Sequence, residues 1–453
     1  MAREIHGQWV SLSVLVCAAF TACDQAPEGI DEASESVSVV HRAEDLEAMR
    51  RHIDNLYDRN DVVHTFKAIS GDVVDCVPVD SQPGMRAPDM QGHVIMSAPT
   101  TAPRGDMEEA PQSEDQRNLA LARMFELEGL DDDGAERSCP DHTIPIRRLE
   151  LAALTRFRTL GEALDKYPRG SGARRADFAL TLDDADSALD ASDGSVEPPK
   201  QGASDYHQHA HAVQSVQNRG AQATLSVWNP YVQQPDEFSL SQVWVYRGVD
   251  ATLETVEAGW QRFRQKYGDW NSRLFIYFTP DNYKTGGCYN LDCAAFVQTN
   301  KSVLIGGKFD KYSVKDGYQK EVTVSWYKDG DAGHWWLRID GSWVGYYPRT
   351  KFDSLGLRDR AAAVDFGGEI LDTQLNGVHT HTDMGSGMFA YHGFRKAAQQ
   401  RNVRYIDTDL KYHDAVLSPS ATDVSCYDIL LHKSPTWGTY FYFGGVGYSA
   451  ACE

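Results

Sequence analysis

Ser239-Leu-Ser-Gln-Val-Trp-Val-Tyr246, followed by Arg273-Leu-Phe-Ile-Tyr-Phe278 and Glu321-Val-Thr-Val-Ser-Trp326, decides the architecture of this chain. Each run is short, rich in β-branched and aromatic residues and bounded by turn formers, which is the pattern of an extended strand. The same composition recurs in Ala223-Thr-Leu-Ser-Val-Trp228, His334-Trp-Trp-Leu-Arg-Ile339, Trp343-Val-Gly-Tyr-Tyr347 and Thr439-Tyr-Phe-Tyr-Phe443. Beyond Asp205 a helical period is almost absent. These strands predict an all-β domain over 206–453, an antiparallel β-sandwich of jelly-roll or concanavalin-like form.

Upstream the pattern changes. Leu46, Met49, Ile53 and Leu56 fall on one face of a helical wheel and predict a short amphipathic helix. Gly71-Asp-Val-Val-Asp-Cys-Val-Pro78 reads as a turn and a strand, 97–118 as loop, and Asn118 to Glu128 as a second helix. Residues 41–168 are therefore expected to form a small mixed α/β region. Between it and the sandwich lies an acidic linker, 169–205, with Asp177, Asp183, Asp184, Asp186, Asp190, Asp193 and Glu197 ending in Pro198-Pro199. Residues 1–22 read as an export signal, with Arg3 before the apolar run from Trp9 to Phe20. Phe20-Thr-Ala-Cys23 is similar to a lipobox, with Cys23 as the acylated residue, and 23–40 would be a tether. Cleavage near Ala19 to a soluble product is the competing reading. Either places the chain outside the cytoplasm, as an extracellular protein or a cell-envelope lipoprotein whose membrane contact is a lipid alone.

Lys and Arg number 44 against 65 Asp and Glu, a formal net charge of -21. Such a surface repels nucleic acid and anionic lipid, and acidification relieves its self-repulsion. Of eight cysteines, Cys17 and Cys23 belong to the signal region. The six others, Cys76, Cys139, Cys288, Cys293, Cys426 and Cys452, imply three bridges with fifteen connectivities open. Cys288 and Cys293 enclose a four-residue turn and could pair locally.

Two glutamates stand in apolar, glycine-containing strings: Val256-Glu257-Ala258-Gly259-Trp260 and Phe366-Gly367-Gly368-Glu369. A carboxylate so placed finds a partner or takes up a proton, because desolvation disfavours its charge. Two of them facing each other form an acid/base pair. Strand parity sets Glu257 with Thr255 and Gly259, opposite Trp260, and sets Glu369 with Asp365 and Gly367, opposite Phe366. Trp244, Trp260, Tyr289 and Phe366 are candidates to line a substrate pocket. His207, His209 and His211 alternate, as do His379 and His381, a spacing that can present metal ligands. Without an HExxH string they read as terminal-strand and loop histidines, and neither a metal nor a cofactor is expected. Ser386, between Gly385 and Gly387, lacks the setting of a nucleophile elbow. A glycoside hydrolase with paired glutamates and a non-catalytic binding module are the competing functions.

Several of these strings together resemble the neprosin family: Phe238 to Val245, Val256 to Trp260, Gly287-Cys-Tyr-Asn-Leu-Asp-Cys293, Gly367-Gly-Glu369, Thr380-His-Thr-Asp-Met-Gly-Ser-Gly387 and Trp437 to Gly445. Gly71 to Val77 and Cys139-Pro-Asp-His-Thr-Ile-Pro-Ile-Arg-Arg148 resemble the family's activation peptide. The resemblance implies a glutamic endopeptidase made as a zymogen, cutting proline-containing polypeptides after proline at acid pH. It carries the catalytic dyad onto Glu257 and Glu369 and makes the amino-terminal region an inhibitor released by processing in the linker. The chain departs from the family at Val256, at Phe366 and at Ala294-Ala295.

Overall fold

A strand buried on both faces must be covered twice, and that requirement shapes this chain. The computed structural model describes residues 39–104, 113–166, 207–284, 286–374 and 378–452. The export signal, Cys23, nearly all of the tether and the acidic linker lie outside the described residues.

The amino-terminal region begins with α1 (Ala43–Leu56), whose apolar stripe buries Met49 and Leu56. A small antiparallel sheet follows, β1 (His64–Lys67), β2 (Val73–Pro78) and β3 (Thr143–Arg147), in that order. Between its second and third strands runs α2 (Glu114–Met124). This helix starts earlier than its apolar pattern suggests because Ser113 and Gln116 form a reciprocal capping box. It stops short of Glu128 because Glu126 turns left-handed, at φ 58°. Two short helices close the region, α3 (Leu151–Leu154) and α4 (Leu160–Leu164).

The carboxy-terminal part contributes β4 (His207–Asn218), β5 (Gly220–Ser226), β6 (Phe238–Arg247), β7 (Glu254–Arg262), β8 (Ser272–Thr279), β9 (Cys288–Tyr289) and β10 (Val297–Gln298). It continues with β11 (Glu321–Lys328), β12 (Trp335–Ile339), β13 (Ser342–Tyr347), β14 (Ala361–Leu371) and β15 (Ala398–Ile406). The last strands are β16 (Tyr412–Asp414), β17 (Ser418–Ala421), β18 (Asp428–Ser434) and β19 (Gly438–Gly444). They form two antiparallel sheets. One has seven strands in the order β17-β4-β14-β6-β7-β8-β9. The other has nine, β10-β13-β12-β11-β5-β15-β19-β18, with β16 paired to β15. The expected all-β sandwich and its small α/β forerunner are both present.

Between the sheets lies the core. Val256, Ala258, Trp260, Phe366 and Ile370 from one sheet meet Leu225, Val324, Trp326, Phe441 and Phe443 from the other, all essentially unexposed. The Trp260 indole donates to the Ser226 carbonyl across the gap at 2.8 Å. Gly368 is required here, since a Cβ would come within 2.4 Å of the Phe443 ring.

Part of each sheet's remaining face is covered by the amino-terminal region. Residues 82–104 run over β10 to β13, where Met90 packs with Val297, Tyr327, Trp336 and Tyr346. Gln82 fixes this strap, donating to the Gln298 carbonyl at 3.0 Å and accepting from the Gln298 amide at 2.7 Å. The seven-stranded sheet receives α3, α4 and the residues after them. Three disulfides form: Cys76–Cys139 within the forerunner, and Cys288–Cys293 and Cys426–Cys452 within the sandwich. Among the described residues no bridge joins the two parts.

Candidate active site

Alternation brings a polar set onto the face of the seven-stranded sheet that looks away from the core. In register across it lie His209, Glu369, Leu240 and Gln261. The next row holds His211, Gly367, Gln242 and Gly259, and the row beyond it Asp365, Trp244, Glu257 and Tyr277. Both glutamates therefore leave the apolar face, as their parity requires, and both are fully buried.

Lys166 lies between them. Its Nζ lies 2.7 Å from Glu257 Oε2 and 2.8 Å from Glu369 Oε2. The Lys166 side chain is itself inaccessible, its Nζ sits 5.4 Å from the centre of a Trp244 ring, and its backbone amide donates to Tyr277 Oη at 3.3 Å. Lys166 is the last described residue before the linker and His207 the first after it. Both contact Glu369, one at each carboxylate oxygen.

The two carboxyls keep different company apart from this shared ammonium. Glu257 Oε1 accepts from Thr255 Oγ1 and Tyr283 Oη, each at 2.7 Å. Glu369 has His207 Nδ1 at 2.7 Å from Oε1, and Gln242 Nε2 donating to Oε2 at 3.1 Å. His209 Nε2 is 3.9 Å away. Burial works against charge on Glu369, yet the Lys166 ammonium and the hydrogen bond from His207 hold its carboxyl well below the usual range. Burial likewise opposes the Lys166 ammonium, but the two glutamates outweigh it and raise its affinity for the proton. Burial pushes the His209 imidazole down to about 3, so this ring is neutral. Burial also opposes charge on His211, and the Asp365 carboxylate at 2.8 Å overcomes it, raising His211 above its ordinary value.

The pocket candidates divide by face. Trp244 and Tyr289 lie on the polar face, Tyr289 with its ring 4.9 Å from Tyr277. Trp260 and Phe366 point into the core between the sheets and do not reach this face, because each lies an odd number of residues from its glutamate, Trp260 after Glu257 and Phe366 before Glu369. The first histidine row is not a loose strand end: β4 pairs with β14 along its length and sets His207, His209 and His211 against Glu369 and Asp365. His379 groups instead with Cys426 and Cys452, whose sulfurs are bonded to each other. Sequence reasoning missed Lys166, Gln242, Thr255 and Tyr283 as partners of the glutamates. For Thr255 and Gln242 the signal was there, since both share strand parity with the site.

A cavity of about 460 Å³ lies at the seam between the two parts, separated from Glu257 by Tyr283, whose hydroxyl donates to that glutamate. Leu164 and Gly161 wall it on one side, and Tyr277, Tyr283 and Gly287 on the other. The Tyr277 and Tyr283 rings stack at 5.8 Å with a 21° tilt.

Two family models match the chain, one described as Neprosin over residues 235–446 and one as Neprosin activation peptide over 65–215. Among solved structures, scytalido-glutamic peptidase with a transition-state analog inhibitor is similar at 10% identity and a TM-score of 0.30, covering 52% of this chain and 97% of that one. SCP-B, of the eqolisin family, in complex with the tripeptide Ala-Ile-His, matches at 10% identity and 0.26, covering 52% and 96%. CG-16, a homodimeric agglutinin from chicken liver, matches at 10% and 0.20, covering 35% and 93%.

Proposed function

The chain belongs to the neprosin family and carries its activation peptide, and from that premise we propose that it is the zymogen of a glutamic endopeptidase whose dyad is Glu257 and Glu369. The observation that carries this reading is Lys166, a buried cation supplied by the activation-peptide region and bonded to both glutamates at once. An ammonium in that position offsets one of the two carboxylate charges and fills the space a peptide carbonyl would need. The plug thus marks the site and silences it together.

Removing the plug leaves two buried carboxyls that share one proton at acid pH, because like charges at short range resist ionising together. The pair titrates as a unit, but its surroundings are unequal. Glu369 retains the His207 ring and the Gln242 amide, while Glu257 retains only neutral hydroxyls. Glu369 is then the ionised base that draws a proton from water, and Glu257 the acid that protonates the substrate carbonyl oxygen. Tyr277 and Tyr283 wall the cavity on the side toward Glu257, and their stacked apolar rings suit the flat ring of proline. This assigns them the pocket role that Trp260 and Phe366 cannot have from the core.

The test is digestion of a proline-containing peptide mixture by the acid-processed chain across pH, beside Glu257→Gln and Glu369→Gln. Cleavage after proline at acid pH, reduced in each variant by at least about a thousandfold, is expected. Cleavage at other residues discards the proline preference and keeps the dyad. Unchanged activity in either variant discards the dyad. Inactivity of the processed, folded chain returns the polysaccharide and binding-module readings.

A further inference from the structure

Gln242 sits midway between the two glutamates in every direction the sheet defines. Along β6 it lies two residues from Leu240, which faces Glu369, and two from Trp244, which faces Glu257. Across the sheet its partners are Gly367 on the strand of Glu369 and Gly259 on the strand of Glu257. Two glycines thus leave both flanks of its side chain without a neighbouring Cβ. Its Nε2 donates to Glu369 Oε2, the same oxygen that holds the Lys166 ammonium. An ionised carboxylate only accepts, so this bond fixes which end of the amide is nitrogen. The other end, Oε1, is buried and finds no hydrogen-bond partner among the described residues. A fully buried acceptor left unpaired needs an explanation, and its place beside the plugged oxygen supplies one.

We propose that Gln242 is a third catalytic residue, whose Oε1 holds the second hydrogen of the water that Glu369 activates. This rests on the dyad assigned above. A water in a closed site has two hydrogens to place, and Glu369 takes only one. Gln242 Oε1, joined through its own amide to the same carboxylate, sets the plane of the water and turns its lone pair to the substrate carbon. In the step itself the water O–H bond breaks with its proton passing to Glu369. The oxygen lone pair forms the new C–O bond, and the carbonyl π pair moves to the carbonyl oxygen as that atom takes the proton of Glu257. On collapse the C–N bond breaks, the leaving nitrogen takes the proton from Glu369, and one hydroxyl of the intermediate returns its proton to Glu257. Gln242 gains and loses no proton throughout.

The experiment measures kcat and KM separately, over pH, in acid-processed full chain carrying Gln242→Met or Gln242→Glu. Gln242→Met keeps the length and removes both polar ends, so kcat is expected to fall about a hundredfold with KM changed by less than about twofold. Gln242→Glu has donor and acceptor while its carboxyl is protonated, and is expected to recover most of kcat at the acid end. It loses that activity as it ionises beside Glu369, moving the upper limb of the pH profile to lower pH. A Gln242→Met enzyme that folds and keeps its kcat, even with a lowered Tm, overturns the proposal. If Gln242→Met does not fold, an unmoved upper limb in Gln242→Glu overturns it instead. If Glu257→Gln and Glu369→Gln are inactive while Gln242→Met is not, only this assignment fails; if those two retain activity, the dyad reading fails and takes Gln242 with it.

Discussion

At the scale of the residue, the two kinds of charged group in the site differ in how they announce themselves. Glu257 and Glu369 could be read from the sequence because each breaks an apolar string, and because period-two alternation says which neighbours share its face. Lys166 could not. It sits in no motif, and a lysine is ordinary until the fold encloses it with both glutamates. Its removal is correspondingly costly, since a buried charge that loses its partner is worse than a pair never made. Lys166→Met leaves two carboxylates facing each other, and the full chain is expected to lose about 3–5 kcal/mol of stability at neutral pH. Denaturant unfolding measures this, and at pH 4 the loss should shrink as the freed pair takes up a proton. Once the linker is cut, the same variant should release its amino-terminal fragment at neutral pH, with a dissociation constant raised at least about a hundredfold. A variant as stable as the parent, with its fragment as firmly held, would deny Lys166 the role of plug.

Among elements, the strands were legible and their partners were not. The aromatic runs from β5 to β19 fall where composition places them, because β-branched and aromatic side chains suit a pleated, covered surface. Pairing joins residues far apart in sequence, so β4, bearing His207, His209 and His211, could not be matched to β14 beforehand. Once matched, the row becomes a support for the site rather than a set of end-of-strand histidines. His211 and Asp365 close that row as a buried ion pair. The folded protein raises the proton affinity of His211, so its contribution to stability is complete below the ordinary value of 6.5 and is lost as pH rises through the folded value. His211→Asn is therefore expected to destabilise the chain more at pH 5 than at pH 8, by one to a few kcal/mol as an order of magnitude. Thermal or denaturant unfolding at the two pH values decides it. An equal loss at both, or a larger one at pH 8, would show that the pair is not charged as described.

For the whole molecule, the amino-terminal region does more than plug. Its core is continuous with that of the sandwich, and its strap covers the aromatic face built from Tyr327, Trp336 and Tyr346. With no disulfide between the parts among the described residues, these contacts alone would hold them after the linker is cut. Several are ion pairs that resist acid. Burial opposes charge on Asp72, but Arg147 and Arg273 hold it far below the usual carboxylate range, and Glu369 is held low in the same way. Such groups stabilise above their ordinary values and continue to do so until pH falls through the folded ones. The strap contains the opposite device. His93 lies against His334 with ring centres 5.4 Å apart, and its Nε2 is 2.6 Å from Tyr346 Oη. Burial lowers both imidazoles, His334 to about 4, where the His93 charge adds to the effect. Lys328, lowered by burial to about 7, and Arg349 lie close to His334; the carboxylates of Asp89, near His93, and Asp329, near His334, oppose them. Neutral histidines stabilise the seam above 6.5, and this is lost as pH falls from there toward about 4. We therefore expect a chain cut in its linker at pH 7 to remain a latent two-chain complex, eluting as one species in size-exclusion chromatography. Stepwise acidification between pH 6.5 and 4 should free the fragment and release activity together. The double variant His93→Phe and His334→Phe should need a pH about one unit lower for the same release. Dissociation on cutting at pH 7 would refute the strap, and an unshifted release in the double variant would place the acid response elsewhere.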